Sequence, residues 1–192
     1  MENIALNIGS GKIRPKIDGV LWVNMDIDER VRPDVCRDVL RGIPFNDNYF
    51  DAVLCSHFLE HFGGDDFIFV MSELHRVLKP WGELHILSPY YKHFSAWTDP
   101  FHKMFFNEYT FEHYWFITNS SLSMGVKGWF KPEVLEVSND SELRLIMKKI
   151  PFAELKSYMD SIQVFRDNEF FAPDFFSMLS GTKYYEWGKN GS

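Results

Sequence analysis

The sequence is poor in cysteine and has no long hydrophobic run. Its 192 residues include two cysteines, Cys36 and Cys55, which are too few for a disulfide framework, so we expect both thiols to be reduced. Residues 1–4 do not open a basic and then apolar leader, and no stretch approaches the about 20 apolar residues of a membrane helix. These absences predict a cytoplasmic protein that does not contact a membrane.

Basic residues are also scarce. The chain has 20 Lys and Arg against 27 Asp and Glu, a net charge of −7, so it has no general attraction for a phosphate backbone and we do not expect a nucleic-acid partner. Aromatic residues, in contrast, make up 17% of the chain. An aromatic excess that is not all buried leaves a homodimer open as the oligomeric state.

Apolar runs of strand length alternate with helical patterns in the first half of the chain. The runs lie at residues 3–8, 20–25, 51–55 and 82–87, each bounded by turn residues. Between the last two, the Asp65-Asp66 pair precedes apolar residues at helical spacing, and Lys79-Pro80 follows them. Strands that alternate with helices predict a doubly wound, mostly parallel α/β sheet in one domain.

The second half of the chain has a different character. Residues 90–116 are dominated by aromatic side chains, and residues 119–123 have the composition of a loop. Two further strands, 134–137 and 143–147, are joined by a polar turn and predict an antiparallel hairpin. A helix is predicted over residues 152–165.

A glycine loop follows the first predicted strand. Gly9 and Gly11 flank Ser10, and glycines at such a turn let a ligand approach the backbone closely. Position 14 is Arg14, where a dinucleotide fingerprint has its third glycine, which argues against a pyrophosphate cofactor. Asp26 ends the second strand and could accept hydrogen bonds from both hydroxyls of a ribose, although a solvated turn aspartate is the alternative.

Four stretches resemble the class I S-adenosylmethionine-dependent methyltransferases, of the small type 11 kind. They are LNIGSG at 6–11, WVNMDI at 22–27, residues 38–62 and residues 73–89. The resemblance implies an α/β, Rossmann-like, seven-stranded, mostly parallel sheet with helices on both faces and an antiparallel C-terminal hairpin. It also implies a single domain over residues 1–192. Residues 1–90 would form the cofactor-binding half. Residues 91–192 would contain an aromatic lid or substrate region, the edge hairpin and a C-terminal helix.

The same resemblance implies that S-adenosylmethionine is the cofactor. Gly9 and Gly11 would lie beneath its methionine part, Asp26 would hold the ribose hydroxyls, and Asp38 would accept from the adenine amine. The other cofactor-binding positions that it implies are Asn7, Ser10, Ile27, Val39, Ser56 and His57. Two positions depart from the family pattern: Asn7 stands where an acidic residue is usual before the first glycine, and Ile13 stands where the wider superfamily has a third loop glycine.

Histidines are the candidate catalytic residues. His102 or His57 could act as a base, which is needed if the acceptor is a hydroxyl or a protonated amine. His57 and His61 are four residues apart and could share a helix face, but Glu60 is not in the metalloprotease position, so no metal site is predicted. The aromatic residues around His102 could instead be core or dimer surface.

The sequence therefore predicts methyl transfer to an unidentified small-molecule or sugar-linked acceptor. A non-catalytic protein that binds S-adenosylmethionine or S-adenosylhomocysteine is the alternative, and the replacement at Asn7 keeps it open. A nicotinamide-dependent oxidoreductase is disfavoured by the missing third glycine. A purely structural role would need a large exposed aromatic face.

Overall fold

The structure is a computed structural model, and it describes residues 2–114, 119–161 and 183–187. The strands are β1 Asn3–Ile8, β2 Val20–Asp26, β3 Val35–Cys36, β4 Phe50–Ser56, β5 Leu78–Pro89, β6 Phe130–Ser138, β7 Glu142–Lys149 and β8 Lys183–Trp187. The α-helices are α1 Asp65–Val77, α2 Ser95–Thr98, α3 Asn119–Ser123 and α4 Phe152–Ser161.

The strands form one mixed sheet in the order β3-β2-β1-β4-β5-β7-β6-β8. The strands from β3 to β5 are parallel, whereas β7 is antiparallel to both β5 and β6. This arrangement confirms the predicted α/β, Rossmann-like sheet and the antiparallel hairpin. The sheet has an eighth strand, because β8 adds in parallel to β6 and lies beyond the hairpin at the edge.

Alternate residues of neighbouring strands build the core on one face of the sheet. Leu6 lies opposite Val53, and Val53 lies opposite Leu84; all three are fully buried. Helix α1 adds Val70 and Leu74 to the same core. Its apolar residues recur at helical spacing, and the negative Asp65 and Asp66 in its first turn complement the helix dipole. The period of two in the strands therefore decides which side chains meet α1.

The crossovers between the first four strands contain little helix. Residues 9–19, which join β1 to β2, form no helix at all, and the next two crossovers each hold a single 3-10 turn, Glu29–Val31 and Val39–Arg41. The first crossover has only 11 residues and includes Pro15 as well as three glycines, which leaves little room for a helix. The ends of β1 and β2 are consequently bordered by loop backbone.

The aromatic segment after β5 is divided between core and surface. Phe106 and Phe111 are fully buried, and their rings pack at tilted angles against each other and against Phe67 of α1. Trp97 and Phe105 instead stack on each other at 3.9 Å between ring centroids, and both are exposed. The interpretation that the aromatic residues of this segment belong to the core is therefore correct for Phe106 and Phe111.

The helices α3 and α4 lie in the second half of the chain. Residues 119–123 were expected as a loop, and this was wrong: they form the one-turn helix α3, which closes with hydrogen bonds from the Gly125 and Val126 amides to the carbonyl oxygens of Leu122 and Ser121. The predicted helix at 152–165 is present as α4, and residues 162–165 lie outside the described part. No helix in the described ranges has the length and hydropathy needed to cross a membrane.

Candidate functional site

The glycine loop is tied to the tip of β2 by a carboxylate. The Gly11 amide donates to Asp26 Oδ2 at 2.7 Å, and the Asp28 amide donates to Asp26 Oδ1 at 2.8 Å. The Ser10 amide also donates to the carbonyl oxygen of Met25 at 3.1 Å. Because a carboxylate oxygen has two lone pairs, Asp26 keeps acceptor capacity for a ligand hydroxyl while it holds this loop.

A cavity of about 460 Å³ lies at the carboxyl ends of β1, β2, β3 and β4. That volume is within the usual range for a small-molecule site. The predicted residues that line it are Gly9, Asp26, Ile27, Asp38, Val39 and His57. The structure therefore brings six of the ten predicted cofactor positions to one cavity, although they come from four separate strand ends.

The remaining four predicted positions, Asn7, Ser10, Gly11 and Ser56, are not among the lining residues. Asn7 is 2% exposed, and its amide nitrogen donates to the carbonyl oxygen of Ile13 and to Asn24 Oδ1, each at 3.1 Å. Asn24 in turn donates to Asp34 Oδ2 at 2.8 Å. Asn7 thus joins β1, the glycine loop and β2 in one buried network.

Asp38 has a structural partner as well as a place at the cavity. Its side chain caps the 3-10 turn Val39–Arg41 by accepting from the Leu40 amide at 3.0 Å. Capping fixes the turn and brings Val39, which is 5% exposed, under the cavity. An acidic group and an apolar side chain side by side suit a purine with its exocyclic amine.

His57 occupies a strained position directly after β4. Its φ is +50°, a left-handed conformation that is rare for residues other than glycine. Its Nε2 lies 3.1 Å from Glu142 Oε1 and its Nδ1 lies 3.5 Å from Glu60 Oε1. The Glu60 carboxylate raises the pKa of His57 above its usual value, partial burial opposes this, and Glu142 adds to the increase.

A second group of side chains adjoins the cavity wall. Glu60, His61 and His102 each direct one N or O atom into a cluster whose donor atoms all lie within 4.8 Å of one another. His61 lines the cavity, whereas His102 does not. The rings of His61 and His102 meet edge-on at 5.0 Å between centroids. Of the two candidate catalytic histidines, His57 therefore borders the cavity and His102 lies behind His61.

Sequence reasoning missed several cavity residues. These are Ile8, Met25, Arg37, Leu40, Phe58, His61 and Phe62. Phe58 is the most informative, because its ring lies so close to Gly9 that a Cβ atom there would overlap it. No local pattern signals this contact, since Phe58 follows a different strand.

A second cavity, of about 680 Å³, is lined by none of the predicted site residues. It borders α1 at Glu73 and Arg76, and it also includes Lys149. The Glu73 carboxylate and the Arg76 guanidinium are paired at 2.7 Å, and Lys149 donates to Asn48 Oδ1 at 2.7 Å. These charged groups already have partners within the chain.

Comparison with known families gives one match. Residues 18–86 match the methyltransferase domain family, a segment that includes Asp26, Asp38, His57 and the Glu60-His61 pair. No curated protein sequence matches the chain significantly.

Several solved structures share the fold at low sequence identity. A SAM-dependent methyltransferase from Archaeoglobus fulgidus aligns with a TM-score of 0.56 and 20% identity, covering 77% of this chain and 86% of the other. A SAM-dependent methyltransferase from Methanosarcina mazei gives 0.53 and 14%, with 78% and 93% covered. A chain of a complex between the Haloferax volcanii Trm112 methyltransferase activator and a candidate methyltransferase gives 0.57 and 11%, with 78% and 84% covered.

Proposed function

We propose that the chain, whose residues 18–86 match the methyltransferase domain family, binds S-adenosylmethionine in the 460 Å³ cavity and transfers the methyl group to an acceptor. One observation carries this proposal: two carboxylates, Asp26 and Asp38, stand in one cavity with the glycine of the first loop. Carboxylates accept hydrogen bonds from hydroxyl and amine groups, which are what a nucleoside presents.

The lining residues fit the separate parts of this cofactor. Gly9 has φ +61°, so the loop turns sharply at the end of β1 and leaves its backbone open to the methionine part. Asp26 would accept from the ribose hydroxyls. Ile27, which is 67% exposed, and the buried Val39 would enclose the adenine, and Asp38 would accept from its amine.

The cofactor supplies a methyl group that its sulfonium already activates. The protein must therefore orient the acceptor and exclude water, which can contribute several kcal/mol to lowering the barrier. We assign the reacting end of the cavity to the β4 end, where His57 borders it. His57 and His102 remain the proposed catalytic residues, with His57 the one that an acceptor in the cavity would touch.

The acceptor is proposed to be a small or sugar-linked molecule, and neither a nucleic acid nor a membrane is proposed as a partner. The net charge of −7 supports this choice, because it repels polyanions. One structural neighbour comes from a complex with an activator protein, and on that ground we propose a protein partner as the alternative to a homodimer. The aromatic side chains Trp97, Phe101 and Phe105 are exposed and would suit such a contact.

We propose that the chain has two functional halves, the first of which contains the strands β1 to β5. Residues 1–90 would bind the cofactor, and residues 91–192 would contribute the acceptor side. A cytoplasmic location is proposed from the cysteines, since Cys36 is exposed and Cys55 is buried and both are free.

Calorimetric titration with S-adenosylhomocysteine tests the proposal, with NAD as the control ligand. We expect one site per chain for S-adenosylhomocysteine, an increase in melting temperature through linkage, and no response to NAD. The absence of binding at millimolar ligand would contradict the proposal.

A non-catalytic binding protein is the alternative. It is favoured by Asn7, which stands in place of the usual acid and is occupied by the Ile13 and Asn24 contacts. A methyl-transfer assay over a panel of hydroxyl, amine and carbon acceptors separates the two. Turnover would exclude the binding protein, whereas tight binding without turnover over the whole panel would favour it.

A further inference from the structure

Glu60, His61 and His102 form a cluster of metal-ligand type beside the cofactor cavity, and the proposed function assigns no metal to it. Glu60 and His61 belong to the 3-10 turn Leu59–His61 after β4, and His102 comes from the segment after α2. One donor atom from each lies within 4.8 Å of the others. An ion with bonds of about 2.0–2.2 Å needs donors about 3.4 Å apart, so small side-chain rotations would complete the site.

The Glu60 carboxylate is buried, and only one of its two oxygens accepts a hydrogen bond. The residue is 1% exposed. Its Oε2 accepts from the Ser88 hydroxyl at 3.2 Å, but its Oε1 is buried and has no hydrogen-bond partner. His57 Nδ1 lies 3.5 Å from Oε1, beyond good hydrogen-bond length. A buried carboxylate oxygen in this condition requires a compensating group, and a cation between Oε1 and the two imidazoles would provide one.

The orientation of His102 is also that of a ligand. Its Nδ1 lies 2.8 Å from the carbonyl oxygen of Ala96. Since a carbonyl oxygen only accepts, Nδ1 carries the proton, and neutral His102 keeps its lone pair on Nε2. A backbone carbonyl that fixes the tautomer in this way is typical of metal-binding histidines.

The two segments are fastened to each other by backbone hydrogen bonds. The amides of Lys103 and Met104 both donate to the carbonyl oxygen of Glu60, at 2.8 and 3.1 Å. The side chain of His102 is only 7% exposed. The backbone therefore holds His102 next to Glu60 before any ion binds, which lowers the cost of ordering the site.

We propose that Glu60 Oε1, His61 and His102 Nε2 bind one divalent transition-metal ion, and that this ion takes a hydroxyl oxygen of the acceptor as a further ligand. Two imidazoles and one carboxylate suit Zn²⁺ or Co²⁺ better than Mg²⁺, which prefers oxygen ligands. Three protein ligands leave a coordination position for a substrate. Because His61 also lines the cofactor cavity, that position would adjoin the proposed methyl group.

This inference rests on the proposed function and specifies its substrate class, an acceptor that reacts through a hydroxyl. Coordination lowers the pKa of a bound hydroxyl, so its proton leaves to water. The oxygen lone pair then forms a bond to the methyl carbon. The bond between that carbon and sulfur breaks, and its electron pair stays on sulfur to give the neutral thioether S-adenosylhomocysteine.

Cobalt binding tests the site without relying on activity. Metal-free protein is titrated with Co²⁺, and visible absorption and calorimetry give the stoichiometry and affinity. We expect one Co²⁺ per chain with nitrogen-ligand bands, displaced by Zn²⁺ and not by Mg²⁺. Glu60→Gln and His102→Gln should each weaken Co²⁺ binding by at least about tenfold.

His85→Gln is the matched control. His85 also pairs with a carboxylate, its Nε2 lying 2.9 Å from Glu83 Oε2, but the described residues place no second histidine in a ligand cluster with it. The control should bind Co²⁺ as the wild type does. Circular dichroism establishes that each variant is folded, and His61→Gln replaces any variant that is not.

Wild-type protein that binds neither Co²⁺ nor Zn²⁺ would overturn the inference, as would folded variants that bind like His85→Gln. S-adenosylhomocysteine binding to the metal-free protein is measured in parallel. Cofactor binding without metal binding leaves the proposed function standing and overturns the metal site. Metal binding without cofactor binding supports the site and overturns its role in methyl transfer.

Discussion

The amide of Gly11 and the carboxylate of Asp26 are joined by a 2.7 Å hydrogen bond that closes the first loop onto the tip of the second strand. This bond gives Asp26 two tasks. It shapes the loop, and it presents acceptor lone pairs to the cavity. Asp38 likewise has two roles, because it caps a 3-10 turn and lines the cavity.

Asp26→Asn is expected to weaken S-adenosylhomocysteine binding by about tenfold or more. A hydrogen bond to a charged group contributes about 1.5–3 kcal/mol, and the amide keeps only one acceptor oxygen. Calorimetry measures the affinity, and the melting temperature reports the loss of the loop contacts. Asp18→Asn changes an exposed aspartate in the crossover that precedes β2; it is the control and should bind normally. An Asp26→Asn affinity within twofold of the wild type would remove Asp26 from the proposed site.

Asn7→Asp is expected to destabilise the protein, even though an acidic residue is usual at this position in the methyltransferases that the sequence resembles. The new carboxylate oxygen would face the carbonyl oxygen of Ile13 and Asn24 Oδ1, both acceptors, in a buried position. A buried charged group without a donor costs about 3 kcal/mol or more. Denaturant unfolding at pH 7 measures this, with the exposed Asn3→Asp as control. A gain in stability would show that the network is not as described.

Gly9→Ala is expected to lower the free energy of unfolding by more than Gly19→Ala does. Both glycines have a positive φ, +61° and +75°, so alanine costs about 1–2 kcal/mol at either position. Only at Gly9 would the added Cβ overlap the Phe58 ring, since nothing lies within 4 Å of it at Gly19. Measured in the Phe58→Ala background, Gly9→Ala should cost no more than Gly19→Ala does, because the ring that the new Cβ would overlap is absent. Equal effects of the two single substitutions would contradict the close contact.

Stability is expected to fall as the pH decreases from 6.5 because of His75. Burial lowers the pKa of His75 to about 4, and Lys149 adds to the decrease, while the backbone of Ile150 and Trp129 opposes it. The unfolded chain therefore binds a proton near pH 6.5 that the folded chain does not bind until about pH 4. Stability is full above pH 6.5 and is lost toward pH 4, by at most about 1.4 kcal/mol per pH unit.

Denaturant unfolding between pH 7.5 and 5 measures that slope in the wild type and in His75→Gln. The variant should have a flatter profile, because it has no imidazole to protonate. His113→Gln is the control and should retain the wild-type slope. A slope that His75→Gln leaves unchanged would assign the pH dependence to other groups.

Much of the fold could be predicted from local patterns. The four parallel strands β1, β2, β4 and β5, the helix α1 and the β6–β7 hairpin follow from apolar runs, helical spacing and turn residues, which depend on near neighbours in the chain. Short elements were missed. The two-residue β3 and the edge strand β8 are defined by pairing with distant strands, and α3 depends on its closing hydrogen bonds.

The candidate site also has some residues that local patterns predict and some contacts that they do not. The sequence by itself determined that Gly9, Asp26 and Asp38 follow or begin consecutive elements, and parallel strands bring such positions to one edge of a sheet. Only the tertiary structure decided that Phe58 packs on Gly9 and that Asn7 belongs to a buried hydrogen-bond network. It also decided that His102 lies next to Glu60 and His61. These contacts join residues from different elements, so they depend on packing and on buried hydrogen bonds, which no local spacing encodes.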